Sequence, residues 1–247
     1  MKSQRENEKN FIIIIRNCST LSLSKNFLLG NKLNNEMNNP WLQIPLEDYE
    51  GHMSAPGVMQ LQMLDEIFES VLNEFSPRSI CVLGCTAGNG FQHLVNKNFD
   101  RVVGIDINQE YVGECRSWFI QDVQNLQLIC ANLNELELIN PMFDLIHAAL
   151  VFEYVDVDTL LSKISDWLRP NGTLSVVLQL PSDTSSQVSE TPYQSVKILI
   201  PFIKLVDPEA FKKEAEKNRL LLIQESEIKL ATGKRFIKAY FKKEKPA

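Results

Sequence analysis

Three glycines and one aspartate offer the first readable chemistry. Gly84, Gly88 and Gly90 follow directly on the apolar run at residues 80–83. Glycine lets a backbone turn sharply and approach a ligand closely. Asp106 stands roughly twenty residues further on, at the end of a second apolar run, residues 102–106. A carboxylate placed there accepts hydrogen bonds from both hydroxyls of a ribose. Strand, glycine turn, helix, strand and terminal acid together form an adenosine-binding half-site. The strands on either side make the signal far more specific than a glycine motif alone.

Glycine spacing narrows the ligand. A dinucleotide fingerprint wants G-x-G-x-x-G, so that a pyrophosphate sits on a helix N-terminus. This chain has Gly84-Cys85-Thr86-Ala87-Gly88-Asn89-Gly90, with Thr86 at the second glycine position. The pattern resembles motif I of the class I S-adenosylmethionine (SAM) methyltransferases, hydrophobic-hydrophobic-acid-hydrophobic-G-x-G-x-G. Val82 stands where those enzymes often have an acid, which removes a water-mediated contact to the methionine ammonium. Thr86 narrows the loop by a side chain. Motif I alone leaves a methyltransferase and another Rossmann-type protein equally open.

Four further signals follow in the family's order and at its spacings, across about residues 55–242. Residues 102–106 with Ile107 and Asn108 resemble motif II, with Asp106 as the ribose acid. Residues 126–130 form a third apolar strand, and Ala131-Asn132-Leu133 follows where the family often has G-D-hydrophobic beside the adenine. Phe143-Asp144-Leu145-Ile146 resembles its fourth strand, and Leu168-Arg169-Pro170-Asn171-Gly172 its turn before the fifth. The resemblance implies SAM as cofactor, bound by Gly84, Cys85, Thr86, Gly88, Asp106, Ile107, Asn132, Leu133 and Ala149.

The elements that must position these residues alternate as a doubly wound α/β sheet requires. Apolar Met59, Met63, Ile67 and Val71 predict a helix over 58–73 ahead of the first strand. Helices are expected at 91–96, 110–119, 156–168, capped by Asp156 or Asp158, and 208–218, capped by Asp207. Two final strands, 220–229 and 235–242, flank the tight turn at 231–234 and must pair antiparallel. The expected fold is therefore a Rossmann-like seven-stranded sheet with an antiparallel C-terminal hairpin. A dehydrogenase sheet has no need of that hairpin.

Composition limits the alternatives. With 247 residues, 44% of them hydrophobic, the chain can bury one substantial core. A formal charge of −6 argues against a nucleic-acid partner. The basic stretch 234–245 alternates as a strand with a solvated face. Five cysteines lack C-x-x-C spacing, so neither a disulfide framework nor a metal site is expected, and a reducing cytoplasmic location fits. The apolar burst at 11–15 is too short for a signal peptide or a membrane span. Residues 1–36 read as a disordered extension and 37–247 as the domain, with Met37 an alternative start.

Methyl transfer from a sulfonium asks mainly for alignment and exclusion of water. The segment 148–154 after the fourth strand should border the methyl group. It lacks the D/N-P-P-Y of base and amide methyltransferases, which points to a small-molecule acceptor. His147, Glu153 and Tyr154 are the catalytic candidates; the alternatives are a core histidine and a structural cap. Tyr49, Glu50 and His52 precede the first expected helix, and Tyr49 and His52 are substrate-side candidates. Tyr193 is the recognition candidate in the long connection 181–206, expected to cap the pocket. A monomer or homodimer is expected. Two readings compete with the enzyme: a non-catalytic protein that binds SAM or S-adenosylhomocysteine (SAH), and a nicotinamide-dependent oxidoreductase.

Overall fold

The computed structural model describes residues 13–14, 39–139, 141–182 and 186–245. Seven strands form one sheet: β1 (Ser79–Leu83), β2 (Arg101–Asp106), β3 (Leu126–Cys130), β4 (Phe143–Ala149), β5 (Leu168–Leu180), β6 (Leu220–Lys229) and β7 (Arg235–Lys243). Their order is β3-β2-β1-β4-β5-β7-β6. The first five pair in parallel, and β7 runs antiparallel to both β5 and β6. This is the expected Rossmann-like sheet with its C-terminal hairpin.

Every residue of β1 is buried, as a strand covered on both faces requires. On one face, Leu83, Ile105, Ile146 and Val176 pack under α4 (Val157–Trp167) and α5 (Pro208–Lys217). On the other, Ile80, Val82, Leu145 and Val177 pack under α2 (Gln60–Phe75). Helix α3 (Gln109–Phe119) adds Cys115 to that second layer. Asp156, rather than Asp158, caps α4 by accepting from the Thr159 N–H at 2.8 Å.

Three expectations need correction. The glycine turn does not open an α-helix over 91–96: only one 3-10 turn, Phe91–Leu94, forms before Asn96 adopts a left-handed φ of 57°. Two buried anchors, Phe91 and Leu94, are satisfied by that single turn. Residues 46–54 are themselves a helix, α1 (Leu46–Ser54), on which Tyr49, Glu50 and His52 lie. Gly51 in its middle obscures the periodicity, yet Leu46 and Met53 are both buried. The Leu168–Gly172 turn is built into the start of β5, where the register against β4 jumps from Leu168 to Thr173 and Asn171 takes φ 63°.

Residues 1–36 lie outside the described residues apart from Ile13–Ile14, which pair antiparallel with Glu137–Leu138. Among the described residues no helix is long and apolar enough to cross a membrane. No group of three or more potential metal-ligating side chains occurs among them either.

Candidate active site

A cleft opens outside the carboxyl ends of the parallel strands, where ligands of open α/β sheets bind. Its lining runs along the sheet from Asn132 beyond β3, past Asp106 of β2 and Gly84 just after β1, to Gln179 of β5 and Lys234 just before β7. Gly84 sits at φ +66°, and a Cβ added there would meet the Val151 side chain at 2.7 Å. The turn and the segment after β4 therefore touch, and only glycine fits between them. Thr86 holds φ 48°. For a β-branched residue that is a strained conformation, tied down by its N–H bond to the Asp106 carboxylate at 2.9 Å.

Asp106 is buried. One oxygen accepts from the Thr86 N–H and the other from the Asn108 N–H, both at 2.9 Å. Burial raises its pKa to about 6, against the lowering effect of those N–H donors. The cap of α3 is Asn108, whose Oδ1 accepts from the Glu110 and Tyr111 N–H groups. Asp106 is thus released from the capping role. Asn108 Nδ2 also donates to the Trp41 carbonyl at 2.9 Å, and the Tyr111 hydroxyl donates to the Ile44 carbonyl at 2.8 Å. These two bonds pin residues 41–44 across the cleft, where Trp41 meets Tyr154 and Tyr49 edge to face.

The end of the cleft beyond β4 is differently made. Glu153 is buried, with Oε1 accepting from the Gln179 N–H at 2.7 Å and Oε2 without a partner. Burial raises its pKa to about 7, the Gln179 N–H opposing. Lys234 is 2% exposed. Its Nζ donates to the Gln187 carbonyl at 2.9 Å, and the Gln179 amide converges on the same oxygen at 3.0 Å. Burial lowers the Lys234 pKa to about 8. Gln60 contributes a buried Nε2 without a partner. His52 bonds Thr191 through Nδ1 at 2.9 Å, and burial, with the Lys234 charge a lesser cause, lowers its pKa to about 4.

Residues 82–176 match the family model described as a methyltransferase domain. The fold is that of a class I methyltransferase. The structure resembles the N-methyltransferase NodS of Bradyrhizobium japonicum WM9 in complex with SAH, with TM-score 0.57 and 14% identity over 77% of this chain and 89% of that one. It also resembles an S-adenosylmethionine-dependent methyltransferase from Mesorhizobium loti, with TM-score 0.58 and 16% identity over 74% and 99%. A third likeness is the [4+2]-cyclase SpnF, with TM-score 0.59 and 12% identity over 75% and 83%. No curated protein matches the sequence.

Within this methyltransferase fold, Gly84, Thr86, Asp106, Ile107, Asn132, Leu133 and Ala149 all line the cleft, as do Tyr49, His52, Glu153 and Tyr154. Asn132 is partly engaged, its Oδ1 accepting from the Asn134 N–H at 3.0 Å. Four expected residues lie elsewhere. Cys85 is buried and its N–H is committed to the Ile105 carbonyl at 3.0 Å. A Cβ on Gly88 would meet Phe119 at 2.8 Å and Cys115 at 3.0 Å, so this glycine serves close packing against α3. His147 is a core histidine, bonded to the Ser175 hydroxyl at 3.0 Å and packed on Phe68. Tyr193 lies over Gly51 of α1, outside the cleft lining.

From the long connection 181–206, Gln187, Val188, Val196, Leu199 and Ile203 line the cleft. Sequence reasoning missed Trp41, Gln60, Gln179 and Lys234. Lys234 lies in the turn that the sequence places at 231–234, but the basic stretch 234–245 that begins there reads as solvated, whereas Lys234 is buried and lines the cleft.

Proposed function

We propose that the cleft binds SAM and directs its methyl group to a small-molecule acceptor. The observation that carries this reading is Asp106: a buried carboxylate at the end of β2, lining the cleft and free of helix capping. Gly84 adds a place where the backbone can approach a ligand and a side chain cannot. SAM supplies a methyl on sulfur, so the acceptor's lone pair forms the new bond to carbon while the carbon–sulfur pair leaves with sulfur, giving SAH. The chain's own residues mainly bind, orient and exclude water. Asp106 would hold the ribose hydroxyls, Asn132 and Leu133 would flank the adenine, and Glu153 and Tyr154 of the 3-10 turn Phe152–Tyr154 would line the acceptor's place. A carboxylate there, Glu153, can take a proton that an acceptor must lose.

A second reading keeps the cofactor and drops the transfer. Val82 in place of an acid and Thr86 in a strained conformation favour it. The nicotinamide alternative is disfavoured by β7, which runs antiparallel between β5 and β6. Calorimetry with SAM, SAH and NAD tests the cofactor, with binding of the first two alone expected. Incubation with methyl-labelled SAM and a metabolite extract tests the transfer: label on a small molecule supports it, and SAH binding without transfer supports the second reading.

A further inference from the structure

Two buried charges of opposite sign line one cleft and do not meet. Glu153 leaves Oε2 without a partner. Lys234 spends one donor on the Gln187 carbonyl, and no ion pair joins it to any described residue. A buried charge that is only partly compensated is costly, so such groups persist where something else compensates them. Holding the Gln179 N–H requires only a neutral acceptor, as a glutamine would provide. That bond does not account for a carboxylate at position 153.

The strand order places these charges away from the adenosine side. Asp106 ends β2 and Gly84 follows β1, whereas Lys234 precedes β7, three strands beyond β1. Neighbouring strands lie about 4.8 Å apart, which sets the Lys234 strand roughly 14 Å from that of Gly84. Glu153 lies between them, after β4 and bonded to the end of β5. Beside it, Trp41 and Tyr154 present aromatic surface, which suits a cation.

We propose that the methyl acceptor is a zwitterion, a small amine that also carries a carboxylate, with its ammonium on Glu153 and its carboxylate on Lys234. This rests on the SAM reading above for the transfer, though not for the binding. The Glu153 carboxylate takes one proton from the ammonium and exposes the nitrogen lone pair. That pair forms the bond to the methyl carbon, the carbon–sulfur pair goes to sulfur, and the product is an N-methyl ammonium with SAH. The Gln60 amide is neutral, and Lys234 has only a carbonyl as partner, so each end of the acceptor has one charged partner.

The test is a calorimetric titration of the full chain, with and without SAH. The probes are glycine, β-alanine, 4-aminobutyrate and 6-aminohexanoate, each beside an alkylamine and a carboxylate of matched length. At least one amino acid should bind about tenfold or more tightly than both of its matched partners. Glu153→Gln and Lys234→Met should each erase that preference and leave SAH affinity within about twofold, while melting curves confirm folding. The proposal is overturned if no amino acid is preferred or if the preference survives either substitution. It is equally overturned if either variant loses SAH binding instead, which would assign these charges to the cofactor's own methionine end. Failure of SAH to bind the wild-type chain sinks the cofactor reading alone, because the titration without SAH judges the zwitterion separately.

Discussion

The two halves of the cleft are built on opposite terms. On the side of β1 and β2, the polar groups are satisfied locally: both Asp106 oxygens accept backbone N–H groups, and one of those donors is only two residues away. On the side of β4, β5 and β7, Glu153 and Gln60 leave buried atoms without partners and Lys234 is held by one carbonyl. A satisfied site is pre-organised for a ligand of fixed shape. A site with uncompensated charge is less stable empty and gains most from a ligand that supplies the missing partners.

The largest effect should come from the first half. Gly84→Val forces a β-branched residue to positive φ and into Val151, so calorimetry should find no measurable SAH binding. SAH protecting that variant against heat would detach the turn from the cofactor. Asp106→Ala comes next. Two hydrogen bonds to a charged acceptor, each worth roughly 1.5–3 kcal/mol, should be lost, weakening SAH at least tenfold. Unchanged affinity in a folded Asp106→Ala protein would remove the contrast between the halves.

Glu153→Gln probes the other half through stability. An unfolded glutamate titrates near 4.5 and Glu153 near 7. Between those values the folded chain holds the extra proton, so its contribution to stability falls as pH rises. Above pH 7 the buried charge costs on the order of 1–3 kcal/mol. The variant should therefore melt higher than wild type at pH 8, with the gap closing towards pH 4.5. Asp106, His52 and His147 titrate in both proteins and cancel from the difference. A variant that melts lower at pH 8 would mean that Glu153 is compensated after all.

His147→Phe should leave SAH binding unchanged and cost about 1–2 kcal/mol, because the buried Ser175 hydroxyl loses its partner. A loss of binding would return His147 to the site. The smallest effect is expected from a chain beginning at Met37. It forgoes the Ile13–Ile14 pairing, an edge contact worth no more than about 1 kcal/mol, and should bind SAH as well as the full chain.

What could be read in advance follows the same division. Gly84, Thr86, Asp106 and Asn132 were legible because each is tied to a strand end by short-range chemistry: positive φ, a carboxylate after an apolar run, an amide after the next. Cys85 and Gly88 share that motif, but the motif does not say which side of the turn faces the ligand. Packing against α3 turned Gly88 to the core, and the Ile105 carbonyl consumed the Cys85 N–H. Helix α1 was hidden by Gly51, whose lack of a side chain makes room for Tyr193. Trp41 carried no local signal, since its position depends on Asn108 and Tyr111, more than sixty residues away in sequence.

The sequence by itself determined the sheet and the side of the cleft at β1 and β2. Continuous apolar runs specify strands buried on both faces, glycines specify where the backbone turns, and the tight turn before Arg235 compels an antiparallel hairpin. Only the tertiary structure decided the side of the cleft beyond β4, at β5 and β7. Glu153 and Lys234 belong to separate segments, one a 3-10 turn after β4 and the other a hairpin turn before β7. They share a cleft because β7 inserts beside β5. A lysine at a turn reads as solvated until the loop carrying Gln187 covers it, and burial changes its chemistry through long-range contacts that no local pattern records.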